Sequence, residues 1–219
     1  LDYTLFHCAG FVPKTLKDYD DKKNLENIIM IKNILKSKIK NIYFISTLAI
    51  FNENENIFEK KINVSKNHNY YCKTKIQSEH ILLNSDKNVK ILRIPGLFGG
   101  GRKNGLIYNC INYLKKRKKF KVQNNYPLWI GMHIKDVTKI LFEVICNKKI
   151  KKKIINITYK KNYNLNQVIM IIFAHFNKKV SLSKGQTYKS IKKYNYFLNI
   201  NFKKSLKGEI IKIKNEKYI

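Results

Sequence analysis

Strand-like and helix-like patterns alternate from the first residues of this 219-residue chain. That alternation constrains the fold most, because elements in this order pack as helices against a parallel sheet. Tyr3 to Cys8 is a short apolar run that stops at Ala9-Gly10. Leu25 to Lys38 carries Ile28, Ile31, Ile34 and Leu35 at helical spacing. Asn41 to Ser46 is β-branched and aromatic, a buried strand, and Tyr70 to Leu83 returns to a helical period through Ile76, Ile81 and Leu82. Val89 to Ile94 reads as the next strand, broken into a loop by Pro95-Gly96 and Gly99-Gly100-Gly101. Helices are expected near 105–117, 135–147 and 165–176, with a strand at Lys153 to Thr158. The polar stretch Asn52 to Asn69 is long for a plain connection and has the character of a functional loop. The last forty residues read as irregular and basic, a small cap, and there is no internal repeat.

Composition excludes several function classes. At 44% hydrophobic the chain can bury a real core. A formal charge of +31 invites a nucleic-acid reading, yet of 45 basic residues only Arg93, Arg102 and Arg117 are arginine, the usual reader of phosphates and guanine edges. The lysines are spread among asparagine and isoleucine throughout, which raises charge without selecting a partner. Only Lys115 to Lys121 is dense enough for a local anion patch, and it reads as the solvated end of a helix. Cys8, Cys72, Cys110 and Cys146 lie far apart, so neither a zinc site nor a redox pair is signalled, and they fit a reducing cytoplasm. No apolar run approaches the roughly 20 residues that span a bilayer. The chain begins at Leu1 without a signal-peptide pattern, and that start reads as a cut.

The candidate chemistry lies in Tyr71 and Lys75. Four residues apart on a helix, they share one face. An ammonium near a phenol favours the phenolate by about 1–3 pKa units, which would bring the tyrosine into range as a general acid/base. Tyr19/Lys23 and Tyr188/Lys192 show the same spacing, so context decides. Only Tyr71 follows a strand with a terminal hydroxyl, Thr47, at the carboxyl end where parallel sheets place their ligands.

Six segments, in order, then resemble one family. His7-Cys8-Ala9-Gly10 looks like its His-x-Ala-Ala/Gly strand end, and Asn27 stands where it keeps an asparagine in the next helix. Phe44-Ile45-Ser46-Thr47 through Phe51 is similar to Ser-Ser/Thr-x-x-Val-Tyr, and Tyr71-Cys-Lys-Thr-Lys75 with Glu79 to Tyr-x-x-Ser/Thr-Lys and its glutamate. Leu92 to Gly99 is similar to Leu-Arg-x-x-x-Val-Tyr-Gly, and Met132-His133-Ile134-Lys135-Asp136-Val137 to Val-His-Val-x-Asp-Val. The chain thus resembles the extended short-chain dehydrogenases/reductases, the NAD-dependent epimerase/dehydratase family. The resemblance implies a partial Rossmann-type parallel sheet with helices on both faces and a small C-terminal substrate-binding cap. It divides the chain into 1–98, joined by 134–160, and a substrate-binding part formed by 99–133 and 161–219. It also implies NAD or NADP as cofactor, a nucleotide-sugar substrate, and Thr47, Tyr71 and Lys75 as the catalytic triad. Ala9, Asn27, Tyr71, Lys75 and Pro95 would bind the cofactor, and Thr47, Arg93 and Arg102 the substrate. His7 and His133 are expected to cap helices or fill the core, and Asp136 to start a helix.

The departures are informative. The family's Gly-x-x-Gly-x-x-Gly turn, which cradles the pyrophosphate at a helix N-terminus, is absent, and Gly99-Gly100-Gly101 lacks both its place and its spacing. A chain without that turn is expected to bind NAD(H) or NADP(H) weakly. Leu48 and Ala49 follow the threonine where dehydratases carry acids, which disfavours dehydration. Trp129 stands where an arginine often grips the substrate phosphate, leaving Arg93, Arg102 or Lys103 to serve. The leading expectation is an epimerase or oxidoreductase of a nucleotide sugar. The alternatives are a 4-keto-sugar nucleotide reductase and a non-catalytic remnant. A homodimer is compatible with the family, and no motif supports nucleic-acid binding.

Overall fold

A computed structural model describes residues 3–13, 17–51, 59–116, 131–147, 149–159, 163, 165–180 and 200–216. Trp129, the pair Tyr188/Lys192, most of the dense lysine run and the first part of the long polar stretch lie outside the described residues. Contacts divide the chain into two units, Leu1–Ile94 with Lys149–Ile157, and Pro95–Lys148 with Thr158–Ile219.

The first unit is a four-stranded parallel sheet in the order β1-β2-β3-β6, from β1 (Thr4–His7), β2 (Asn41–Thr47), β3 (Asn88–Ile94) and β6 (Ile154–Asn156). All four strands fall where the apolar runs predict them. The helices α1 (Glu26–Leu35) and α2 (Tyr70–Leu83) cross between successive strands and pack on each other. Burial alternates along β2, with Ile42, Phe44 and Ser46 buried and their neighbours half-exposed. Ile42 and Phe44 join Val89, Ile91 and Ile154 against Ile31 of α1 and Leu82 of α2. That cluster is apolar throughout. Along the same face of the sheet, towards the carboxyl ends of the strands, it gives way to Ser46 and Arg93, which are paired in register.

The second unit holds α3 (Leu106–Lys115), α4 (Ile134–Cys146), α5 (Leu165–Ala174) and α6 (Phe202–Asn215). It also holds a short parallel pair, β4 (Gly96–Phe98) with β5 (Gly131–His133). Two sequence expectations need correction here. Gly96 opens a strand, not a loop, because Leu97 and Phe98 pair with Met132 and His133. The chain after Ile200 is a 14-residue helix, not an irregular cap. Asn201 caps α6 through the Lys203 and Lys204 N–H groups, and Phe202, Leu206, Ile210 and Ile213 form its buried stripe. Lysine between those positions hides a period that the apolar residues alone display. Phe202 anchors the helix among the rings of Phe98, Tyr159 and Tyr163.

Among the described residues, no helix is long and apolar enough to cross a membrane. Because Leu206 is fully buried and Lys207 exposed, Leu206→Ala should cost about 2–5 kcal/mol of stability and Lys207→Ala within about 0.5. Urea unfolding of the two variants checks this; equal midpoints would refute the inward face assigned to α6.

Candidate active site

The site forms where β1, β2 and β3 end, and α2 supplies its side chains. The helix buries a polar face: Tyr71, Lys75 and Glu79 recur at four-residue spacing and are all less than 9% exposed. Its start is held in several ways. Asn69 accepts the Cys72 N–H, Asp20 accepts the Tyr70 N–H, and the Cys72 thiol donates to the Ala49 carbonyl. Ala49 belongs to the tight turn Leu48–Ile50, capped in turn by Thr47, whose Oγ1 accepts the Ala49 N–H at 3.1 Å. Buried His68 braces the same turn by accepting the Ser65 N–H at Nδ1 and donating from Nε2 to the Ile50 carbonyl. Neither His68 nor Asp20 stands out in the sequence, because their roles depend on partners 18 and 50 residues away.

Thr47 and Tyr71 come together. Burial pushes the Tyr71 phenol well above its usual range, the nearby Cys72 and Tyr19 add to that, and a hydrogen bond from Thr47 opposes it. The ring of Tyr19 meets that of Tyr71 edge-on at 5.7 Å. Tyr19 is thus a packing partner of Tyr71, not the head of a rival pair. The phenol moves opposite to the expected lowering by Lys75, because loss of water around it is the largest influence.

Lys75 lies one turn further along, 5% exposed. Its Nζ donates to the Ile45 carbonyl at 3.4 Å and stands 4.8 Å from the centre of the Phe44 ring. Burial pulls its pKa down to about 8, against the pull of Glu79 and Cys8, which favour the ammonium. His7, stacked on Phe44, is lowered by burial and then by Lys75, while burial raises the Cys8 thiol. The loop after β1 passes close by. A Cβ on Gly10 would collide with Asn27 Oδ1 and stand 3.7 Å from Lys75 Nζ, so only glycine fits there. Asn27 donates to the Phe11 carbonyl at 3.3 Å, yet its buried Oδ1 has no partner among the described residues. Ala9 is exposed at the end of β1.

Glu79 closes the lower end of the site. Its carboxylate takes Ser46 Oγ at 2.5 Å and Arg93 Nη2 at 2.6 Å, with Arg93 Nε at 3.0 Å from Oε1. Arg93 Nη2 also donates to the Lys60 carbonyl. Arg93 is fully buried, which corrects its expected role. Its guanidinium is spent on Glu79 and backbone, so it is a strut inside the fold and not an arm free to grip a substrate phosphate.

The remaining expected residues lie in the second unit. Pro95 is buried, and Arg102 is exposed, hydrogen-bonded to Asn104 and the Leu97 carbonyl. His133 caps α4 by accepting the Lys135 N–H, and its Nε2 pairs with Glu209 at 3.1 Å. Asp136 lies in the first turn of α4 without capping it; its carboxylate takes the hydroxyls of Tyr159 and Ser205, both at 2.6 Å. Among the described residues, no cluster of His, Cys, Asp and Glu forms a metal site.

A family model described as RmlD substrate binding domain matches residues 24–193. A search of curated proteins finds no match. Among solved structures, the UDP-N-acetylglucosamine 4-epimerase from Bacillus cereus aligns over 98% of this chain and 78% of its own, with TM-score 0.72 and 16% identity. The UDP-glucuronic acid 4-epimerase from Bacillus cereus, solved with NAD, aligns over 95% and 73%, with TM-score 0.70 and 19% identity. The dTDP-glucose 4,6-dehydratase from Bacillus anthracis, also solved with NAD, gives 96% and 72%, TM-score 0.69 and 14% identity. At such identities the likeness establishes a shared fold, the one expected from the six sequence segments. With 170 residues under its model, the chain belongs to the RmlD substrate binding domain family.

Proposed function

We propose that this protein carries out NAD-linked chemistry at a carbon of a nucleotide sugar, as an epimerase, with Thr47, Tyr71 and Lys75 as its working groups. The observation that carries the reading is Lys75. A lysine pulled from an ordinary 10.5 to about 8 withholds on the order of 3 kcal/mol of stability while it stays charged. A chain keeps such a residue where the charge is used, and buried perturbed groups gather at functional sites.

The surroundings fit the nicotinamide end of the cofactor. Lys75 makes one long hydrogen bond beside the Phe44 ring, Asn27 Oδ1 is buried without a hydrogen-bond partner among the described residues, and glycine at position 10 keeps the loop after β1 close to both. Bound there, the cofactor would supply the hydride acceptor and donor. Lys75 and Asn27 would hold its ribose, with Ala9 as a further contact, and Thr47 would orient a sugar oxygen toward Tyr71. The buried phenol keeps its proton at neutral pH, so it is set to protonate an oxygen placed against it and Thr47. Taking a proton back needs positive charge nearby, and Lys75, one turn along the same buried face, would supply it. Among the described residues, exposed Arg102 and Lys103 are left as candidates for a substrate phosphate.

Two measurements test this. With protein expressed from the complete coding sequence, NAD and a UDP-sugar, Tyr71→Phe should slow epimer formation about 10²-fold or more. Near-normal turnover would remove Tyr71 from the chemistry, and turnover confined to a 4-keto sugar with NADPH would favour the reductase reading. Lys75→Met should stabilise the fold below pH 8, and the gain should fade as pH rises from about 8 toward 10.5. The sign follows because the folded chain releases the Lys75 proton first, so wild-type stability climbs across that window. Urea midpoints that do not separate at pH 7 would mean that Lys75 carries no buried charge.

A further inference from the structure

We propose that Glu79, clamped by Arg93 and Ser46, is a positioning residue for Lys75: it fixes the stretch of α2 that carries the ammonium and sets a negative charge one turn along the same face. This deepens the proposed function, since it concerns the same site, but its physical content stands on the clamp alone. Ser46 and Arg93 are cross-strand neighbours on β2 and β3, and both point to the face that α2 covers. Each binds the Glu79 carboxylate, so one side chain of the helix is tied to two strands at once. Ser46, Glu79 and Arg93 are each 2% exposed or less. A carboxylate so fixed cannot swing away from Lys75, and the low-polarity surroundings let its charge act over a turn of helix.

The other groups facing Lys75 leave that task to Glu79. His7 and Cys8 approach from the end of β1, and β2 offers only the Phe44 ring and the Ile45 carbonyl. Burial raises the Cys8 thiol, which keeps it neutral near pH 7, and burial and Lys75 together lower His7, which keeps it uncharged. Among these groups Glu79 is the carboxylate, ion-paired with Arg93, and it counts among the influences that hold the ammonium up. Arg93 draws on the same carboxylate and so weakens what Lys75 receives, while fixing where it comes from.

The test reads the titration of Lys75 directly. Acetic anhydride labelling across pH, resolved by peptide mass spectrometry, gives the midpoint for Lys75 in the full chain without cofactor or turnover. In the unaltered chain the midpoint should fall near pH 8. Glu79→Gln alone would strand the Arg93 charge, so the variant of choice is Glu79→Gln with Arg93→Met, which removes both charges and keeps the volume. That double variant should fold, by circular dichroism, and leave Lys75 at least about three-fold more neutral at pH 7, a midpoint lower by half a unit or more. An unchanged midpoint in the folded double variant would overturn the proposal, leaving Glu79 a strut only. Loss of folding in it would overturn the proposal too, by making the ion pair a requirement of the fold. A wild-type midpoint below pH 7 would do the same. Failure of the Tyr71→Phe experiment would end the epimerase reading and leave this midpoint where it is.

Discussion

A helix whose inner face carries Tyr71, Lys75 and Glu79 is not held to a sheet by apolar burial at that end, because each of these groups gives up water to be there. The Glu79–Arg93 pair, with Ser46 as third member, resolves the difficulty. One carboxylate accepts from two adjacent strands, and the guanidinium is completed by the Lys60 carbonyl. Buried pairs of this kind add little net stability over an apolar replacement, yet losing one partner typically costs about 3–5 kcal/mol. Position is what the arrangement provides. The helix cannot slide along the sheet without breaking contacts to β2 and β3 together.

α2 is graded along its length, and the grading sets Tyr71 and Lys75 apart from the apolar core. Near its end, Ile81, Leu82 and Leu83 pack on the apolar cluster of Ile31, Ile42, Phe44, Val89 and Ile91. Near its start, Asn69, Asp20 and Ala49 fasten the first turn. Tyr71 and Lys75 sit between a fastened start and the Glu79 clamp, over the carboxyl ends of the strands. Tyr71 and Lys75 are therefore held in place from both directions along the helix, the preorganisation that their proposed roles require.

The parallel sheet was legible because its strands are short, β-branched and separated by helical periods, signals carried by neighbouring residues. The placement of Tyr71 and Lys75 on one helix face, near Thr47, was legible because spacing on one helix and the end of one strand are local too. Two of the misreadings share one cause. Arg93 looks like a free cation until β3 is paired with β2 and its side chain turns toward Glu79. Asp136 looks like a helix cap until Tyr159 and Ser205, 23 and 69 residues on, claim its carboxylate. The direction of the Tyr71 shift was missed because the spacing shows a neighbouring ammonium but not the depth of burial. Helix α6 was missed differently: lysine-rich sequence masks a four-residue apolar period that needs no distant partner to see.

The abundance of lysine and the chemistry of the site are separate matters, and burial distinguishes them. Exposed ammonium groups are hydrated, screened beyond roughly 8–10 Å and weakly bound to any one partner. Among the described residues, Lys75 and Arg93 are the only lysine and arginine that are buried. Each meets specific groups there: Lys75 the Ile45 carbonyl, the Phe44 ring and the charge of Glu79, Arg93 the Glu79 carboxylate itself. A net charge of +31 says little about what the protein recognises, since most of it can vary without touching a contact. The two cations out of water, one beside the Phe44 ring and one on the Glu79 carboxylate, have fixed surroundings, and that separates them from the rest of the charge.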